Sequence, residues 1–259
     1  MKVMAVVCAR NEEHCLEDTL DALVDQTSQV FIVVVDDGST DDTLKIAMKF
    51  SCAVIVRPTH DSYVGKPLLA KTWNEGMAYA RTFDPRYVLV LGADHVLPVD
   101  YVETLVSRMD DDRSLMACSG IIEGEGWREG SPRGSGRLYR TSFWRELNGL
   151  VYPVYWGWED YVTFSALHRG YSIKCFPDVQ STIQRPTTHV SSLSRLVIPE
   201  MYSLGYSWIY IVLRCLRHRM PLSEFVQGLR LSKGTKKHVF APFIYVKSLH
   251  EMMDRWVVA

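Results

Sequence analysis

What the chain lacks narrows its function first. It has no excess of either charge: the formal net charge is −1 over 259 residues, so no global field draws in nucleic acid. It has no Cys-x-x-Cys pair. Its six cysteines (Cys8, Cys15, Cys52, Cys118, Cys175, Cys215) are scattered. Several sit in apolar strand-like runs, where a free thiol behaves as a small hydrophobe, and a reduced, cytosolic compartment is expected. No apolar run is long enough to span a bilayer, the stretch at "GYSWIYIVL" included. The run in "MKVMAVVCARNEE" is too short for a signal peptide. No G-x-G-x-x-G follows the first apolar run and no G-x-x-x-x-G-K-[ST] occurs, which argues against a Rossmann dehydrogenase and against P-loop chemistry. No internal repeat or low-complexity tract is present.

What remains is a chain with 47% apolar residues, enough for one large domain or a main domain with an appendage. Short apolar runs alternate with helical patterns from the start. Strands are expected at "KVMAVVCA", "VFIVVVD", "AVIVR", "YVLVLGAD" and "SLMACSGII". Helices are expected over Glu13 to Gln26, Asp41 to Phe50 and Lys66 to Arg81, with another opened by Pro98. The serine and threonine of "GSTDDT" can cap the second of these helices. The β runs are apolar on both faces, so the fold class is α/β, with a mostly parallel sheet covered by helices on both sides. Gly124 to Gly136 breaks the alternation with glycine and charge and reads as a mobile loop. A strand and helix follow in "RLYRTSFWRELNGL", then a helix over Glu159 to Arg169 and a strand at "YSIKCFP". From Ser192 on, helical patterns dominate and a basic bias begins.

Ligands of an open parallel sheet bind outside the carboxyl ends of its strands. Here the first strand ends in "ARNEE", the second in "DDGSTDD" and the fourth in "GADH", while the third is followed by "RPTHDSYVGKP" with its lone lysine. Carboxylates, Lys66 and a helix N-terminus brought into one cleft suit a phosphorylated ligand with a divalent metal. Asp36 and Asp37 taken singly are equally explained as helix-capping acids.

These residues resemble glycosyltransferase family 2, whose catalytic domain has the nucleotide-sugar-binding GT-A fold. The resemblance runs over most of Lys2 to Pro186 through "VVCARNEE", "VVVDDGSTDDT", "VGKPLLAKTWNEG", "LGADHVLP", "GSGRLYRTSF" and "GWEDYVTFSALHRGYSIKCFPD". It implies a Rossmann-like GT-A domain over residues 1–186 and a helical carboxy-terminal extension over 187–259. It also implies transfer of a sugar from a nucleotide diphosphate donor, UDP- or GDP-linked, with inversion at the anomeric carbon. Asp37 then faces the donor base or ribose. Ala9, Arg10, Asn11, Glu12 and Ala93 line the same pocket, and Lys66 meets the base or diphosphate. Asp94 matches the last aspartate of the metal-binding D-x-D, for Mg2+ or Mn2+. Asp160 in "WED" matches the catalytic base, beside Glu159. Trp156 and Trp158 are either a sugar platform or core.

Two departures stand out. The first aspartate of D-x-D is Gly92, so His95 or water would have to substitute. Where the family often places a metal-reaching histidine, this chain has Gln184, and His189 slightly later. His189 is chemically the better ligand. The acceptor implied is a glycan, a lipid carrier or a small molecule. In the extension, "SLGYSWIYIVLRCLRHR" and "LSKGTKKH" fit either peripheral contact with the inner face of a membrane or an apolar face packed on the catalytic domain with solvated arginines. Packing is the expectation, since the chain is not basic enough overall for a dedicated membrane arm. Two other functions remain: a nucleotidyltransferase, which would leave "WED" without a role, and a binding protein that has lost turnover.

Overall fold

The computed structural model describes residues 2–57, 66–185 and 195–248. In chain order the strands are β1 (Val3–Ala9), β2 (Val30–Asp36), β3 (Ala53–Val56), β4 (Tyr87–Gly92), β5 (His95–Val96), β6 (Leu115–Ile122), β7 (Arg137–Arg140) and β8 (Ser172–Ile183). The helices are α1 (Leu16–Val24), α2 (Thr43–Ala47), α3 (Leu69–Phe83), α4 (Tyr101–Asp111), α5 (Thr141–Asn148), α6 (Tyr161–His168), α7 (Val197–Leu204), α8 (Trp208–Arg217) and α9 (Leu222–Ser232). Residues 241–248 are helical as well.

The strands form one sheet in the order β3-β2-β1-β4-β7-β6-β8-β5. β3, β2, β1 and β4 are parallel, and so are β6 and β8. β7 runs antiparallel between β4 and β6 and joins the two halves. The period of two divides each central strand between two cores. Val3, Ala5 and Val7 face α1 and α4 on one side, among Leu16, Leu20, Val102 and Leu105. Met4 and Val6 face α3, α5 and α6 on the other, among Trp73, Met77, Trp144 and Val162. Both faces are covered, so the β runs had to be apolar throughout.

The last strand is longer than the apolar pattern of "YSIKCFP" predicts. β8 continues through Pro177 to Ile183. Its register against β6 shifts between Ser119 and Ile121, which pair with Cys175 and Gln180. Pro177 lies in that irregular stretch, where a missing N–H costs no ladder bond. The extension gives β8 the length to pair with β5, His95 opposite Ile183. Residues 184 and 185 are thereby delivered beside Asp94.

The carboxy-terminal helices share the second core. Leu204, Phe240 and Ile244 are buried with Trp158, Tyr161 and Val162. Among the described residues no helix is long and apolar enough to cross a membrane.

Candidate active site

The carboxyl ends of β1, β2 and β4 stand side by side, since Ala9 is in register with Asp36 and Cys8 with Gly92. The loop after β1 turns at Asn11, whose φ is 55°, a left-handed conformation that asparagine tolerates. The loop after β2 holds it there. The Asn11 N–H donates to Ser39 Oγ at 3.0 Å, Asn11 Oδ1 accepts from the Thr40 N–H at 2.9 Å, and the Glu12 N–H donates to Thr43 Oγ1 at 2.7 Å. The hydroxyls of "GSTDDT" thus serve the neighbouring loop. This corrects the expectation that Ser39 or Thr40 caps α2: the residue before that helix is Asp42, which makes no side-chain cap, and Asp41 accepts from the Thr43 N–H at 3.0 Å.

The paired acids at the end of β2 divide their work. Asp36 is buried and accepts from the Ser39 N–H at 3.2 Å, closing the turn. Asp37 is buried and accepts from the Arg57 guanidinium, which also donates to Thr72 Oγ1 at 2.6 Å. Arg10 and Asn11 are exposed at the rim, and Ala9 and Ala93 are buried in the floor. The Ala9 carbonyl accepts from the Asp37 N–H at 2.9 Å, and the Ala93 carbonyl from Thr19 Oγ1 at 2.9 Å. Lys66 is exposed just before α3. The connection from Arg57 to Lys66 lies outside the described residues, as does His189.

A first group of charges forms around Arg185. Its Nη2 donates to Glu12 Oε1 at 2.6 Å and lies 3.4 Å from Asp94 Oδ2. Burial raises the Glu12 carboxyl above its ordinary range, and Arg185 opposes that rise. Glu12 Oε2 is buried without a hydrogen-bond partner among the described residues. Such an orphaned oxygen is costly unless something occupies it.

The other ligands considered from the sequence do not join this group. His95 is buried with both ring nitrogens engaged, Nδ1 with Ser135 Oγ and Nε2 with Ser181 Oγ, each at 2.7 Å. Burial, aided by Arg133, pushes its pKa down to about 4. It is a structural residue, which corrects its suggested role beside Gly92. Gln184 points its amide at the Cys15 carbonyl, donating at 2.7 Å, while its N–H donates to the Asp94 carbonyl at 2.8 Å. A Cβ at position 92 would stand 3.2 Å from Asp94 Oδ1 and 3.3 Å from Ser135 Oγ, so a second carboxylate there would crowd Asp94 and Ser135 unless both gave way. Among the described residues no three His, Cys, Asp or Glu side chains form a metal-binding cluster. Asp94 and Glu12 alone still fit a hard divalent ion, since Mg2+ takes one or two carboxylates and completes its shell with phosphate oxygens and water. The orphaned Glu12 oxygen is the observation that favours that fit.

A second group forms at "WED". Glu159 is reached by water, yet protein surrounds it closely. A Cβ at position 134 would fall 1.8 Å from its Oε1, so the loop runs close against the carboxylate, and a larger residue there would push the Glu159 side chain aside. Asp160 precedes α6 but makes no side-chain cap, so helix capping does not account for it. Burial raises both carboxyls above their ordinary ranges, with Arg137 opposing in each case. Arg137 is the anchor. Its guanidinium donates to the carbonyls of Arg133 (2.8 Å), Pro132 (2.6 Å) and Glu159 (3.2 Å) and to Tyr139 Oη (3.0 Å), and lies 3.7 Å from Asp160 Oδ1. Trp158 is core, edge-on to Tyr152 at 5.0 Å. Trp156 is half-buried, with its carbonyl bound to His238 Nε2 at 2.9 Å.

Sequence reasoning missed three contributors. Arg185 and Arg137 carry no local signal. Glu200, on α7, lies where the sequence resemblance has faded. Burial and the nearby Asp160 and Glu159 push its carboxyl up to about 8 against the opposing Arg214. The two groups are joined by one segment. Ser135 Oγ accepts from the Gly92 N–H at 2.9 Å, beside Asp94, and Gly134 abuts Glu159. The loop expected to be mobile is therefore pinned over Pro132 to Gly136.

The profile described as Glycosyl transferase family 2 matches residues 4–173. A 4,4'-diaponeurosporenoate glycosyltransferase of Staphylococcus aureus is 30% identical over 105 residues, covering 40% of this chain and 27% of that enzyme. The chain thus aligns with about a quarter of the length of the curated relatives it matches. Among solved structures, S. aureus TarS 1-349 with UDP-GlcNAc superposes at a TM-score of 0.61 and 19% identity, over 89% of this chain and 79% of that one. The mannosyltransferase PcManGT from Pyrobaculum calidifontis, with GDP-Man and Mn2+, gives 0.61 and 18% identity over 95% and 69%. Glucosyl-3-phosphoglycerate synthase from Mycobacterium tuberculosis, with Mn2+, UDP and phosphoglyceric acid, gives 0.57 and 18% identity over 78% of each chain.

Proposed function

The chain belongs to glycosyl transferase family 2, and on that premise we propose that it moves a sugar from a UDP- or GDP-sugar to an acceptor hydroxyl, with inversion at the anomeric carbon. One observation carries the reading. Two separate acidic groups, Glu12 with Asp94 and Glu159 with Asp160, adjoin the same short segment, Gly134 lying against Glu159 and Ser135 holding the Gly92 N–H beside Asp94. An inverting displacement needs that division, one place for the leaving diphosphate and another for the entering hydroxyl.

Donor binding falls to the strand ends. Asp37, held by Arg57, reads base or ribose; Arg10, Asn11 and Lys66 border the phosphates, over the floor of Ala9 and Ala93. A Mg2+ or Mn2+ ion held by Asp94 and Glu12 would offset the charge of the departing diphosphate. Arg185 neutralises the same two carboxylates when no cation does. On the opposite face of the sugar, Asp160 accepts the acceptor's proton as the hydroxyl oxygen bonds to the anomeric carbon and the bond to the diphosphate breaks. Arg137 opposes the rise that burial gives the Asp160 carboxyl and so favours its base form, and Glu200 is available to hydrogen-bond the acceptor. TarS, PcManGT and the phosphoglycerate synthase, with UDP-GlcNAc, GDP-Man and UDP in their complexes, support the donor class. A cytoplasmic setting is part of the same reading.

The test is incubation with a panel of nucleotide sugars and Mn2+, following release of nucleoside diphosphate. Release in the presence of an acceptor supports the reading. Pyrophosphate release would replace it with nucleotidyl transfer, and binding without release would leave a carrier.

A further inference from the structure

The extension was expected to bury its apolar face, and only one side of α8 does so. Ile211 and Cys215 pack with Ile198 and Met201 of α7. At 3.6 residues per turn, Trp208, Ile209, Val212, Leu213 and Leu216 fall together on the other side, and all five are exposed, Ile209 by 61% and Leu216 by 68%. No charged residue interrupts this face. A continuous apolar patch of that kind marks an interaction site.

We infer that the face of α8 docks on an anionic lipid bilayer. The charge around it selects this occupant. Residues 201–248 hold eight Lys or Arg (Arg214, Arg217, Arg219, Arg230, Lys233, Lys236, Lys237, Lys247) against one acid, Glu224, while the whole chain carries −1. The basic excess is thus confined to the segment that bears the exposed face. Arg217 and Arg219 are exposed at the end of α8, with no ion pair among the described residues. They are placed to reach headgroups while the aliphatic side chains enter the acyl boundary, the arrangement of an interfacial helix. A second copy is a poor occupant, because face-to-face contact would bring two strongly basic segments together. A bilayer surface supplies apolar depth and negative charge at once.

The docked helix belongs to the same extension as Glu200, and His238 of that extension is bonded to the Trp156 carbonyl beside "WED". The docking surface and the groups beside "WED" are therefore carried by one packed extension. The docking itself does not depend on which donor is used.

The experiment is co-sedimentation of the purified full chain with vesicles of phosphatidylcholine alone and of phosphatidylcholine with phosphatidylglycerol. Binding to the anionic vesicles should exceed binding to neutral ones by about tenfold or more at ~0.1 M salt and fall steeply at ~1 M, where the screening length shrinks from roughly 10 to 3 Å. The double variant Ile209→Ser/Leu216→Ser should lose at least about tenfold in partitioning, since each side chain forfeits burial of an aliphatic group. Both positions are exposed, so an unchanged melting temperature confirms the fold. Arg217→Glu/Arg219→Glu should lose the anionic preference. Failure to bind either vesicle overturns the inference, as does equal binding by the Ile209→Ser/Leu216→Ser variant. A monomer–dimer equilibrium in sedimentation velocity that this variant abolishes would assign the face to a second copy instead.

Discussion

Replacing Arg137 by methionine isolates the anchor of the acceptor side. The side chain is 5% exposed and its partner Asp160 32%. Methionine keeps much of the volume, so the cavity cost is small. What is lost is a set of bonds: three backbone carbonyls and the Tyr139 hydroxyl lose their donor, each at about 1–3 kcal/mol if no water replaces it. The charge pair at 3.7 Å is lost too, and Asp160 recovers part of that by hydration. Water can reach the partly exposed Asp160 and some of the freed acceptors and recover most of that, so the expected net loss in urea unfolding at neutral pH is on the order of 3–5 kcal/mol. The pH dependence has a definite sign. Asp160 already has its folded pKa raised by burial, with Arg137 holding it down. Without Arg137 it rises further, so ionised Asp160 penalises the folded variant at neutral pH, and protonation on acidification relieves that penalty. The stability deficit should therefore shrink as pH falls through the raised Asp160 pKa, and the acid limb of the transfer rate should move to higher pH. Arg137→Lys should fall between, since an ammonium keeps the charge but cannot fork to three carbonyls. A loss below about 1 kcal/mol, the size of an ordinary surface pair, with an unmoved acid limb, would refute the anchoring role.

Asp160→Asn should cut transfer by about 10²–10⁴ and leave donor affinity by calorimetry unchanged, while Glu159→Gln is milder; an active Asp160→Asn beside an inactive Glu159→Gln would move the base by one residue. Asp94→Ala should abolish the metal dependence of nucleotide binding, and wild-type dependence in that variant would contradict the assignment. Arg185→Ala should tighten Mn2+ binding in a direct titration, since it frees Glu12 and Asp94, and weaker binding would count against their pairing as ligands. Limited proteolysis should cut between Gly124 and Ser131, where Trp127 is exposed, and spare Pro132 to Gly136; cleavage in the latter stretch would contradict its pinning by Arg137 and Ser135.

The sheet was readable because its strands are apolar on both faces, which leaves few alternatives to a parallel sheet between two helical layers. The strand-end acids were readable for the same reason, as topology gathers such ends. Partnership was not. Whether Asp37 or Asp36 meets an arginine depends on where Arg57 emerges from a neighbouring strand, and no local pattern encodes that. His95 looked like a ligand because it follows Asp94, but its fate is set by Ser135 and Ser181, 40 and 86 residues away. Arg185 was invisible because the length of β8, running past Pro177, decides where it lands. The exposed face of α8 was misread because periodicity shows which residues share a side, not whether anything covers it.

The stretch from Pro132 to Gly136 works as a ruler. Its carbonyls grip the guanidinium beside Asp160, its Gly134 lies against the Glu159 side chain, and its serine ties off the strand end beside Asp94. Five consecutive residues thus hold the "WED" carboxylates and the strand end that carries Asp94 to one short piece of backbone. A change of length here would shift both contacts together, so an insertion or deletion should be far less tolerable in the ruler than in the largely exposed stretch from Gly124 to Ser131.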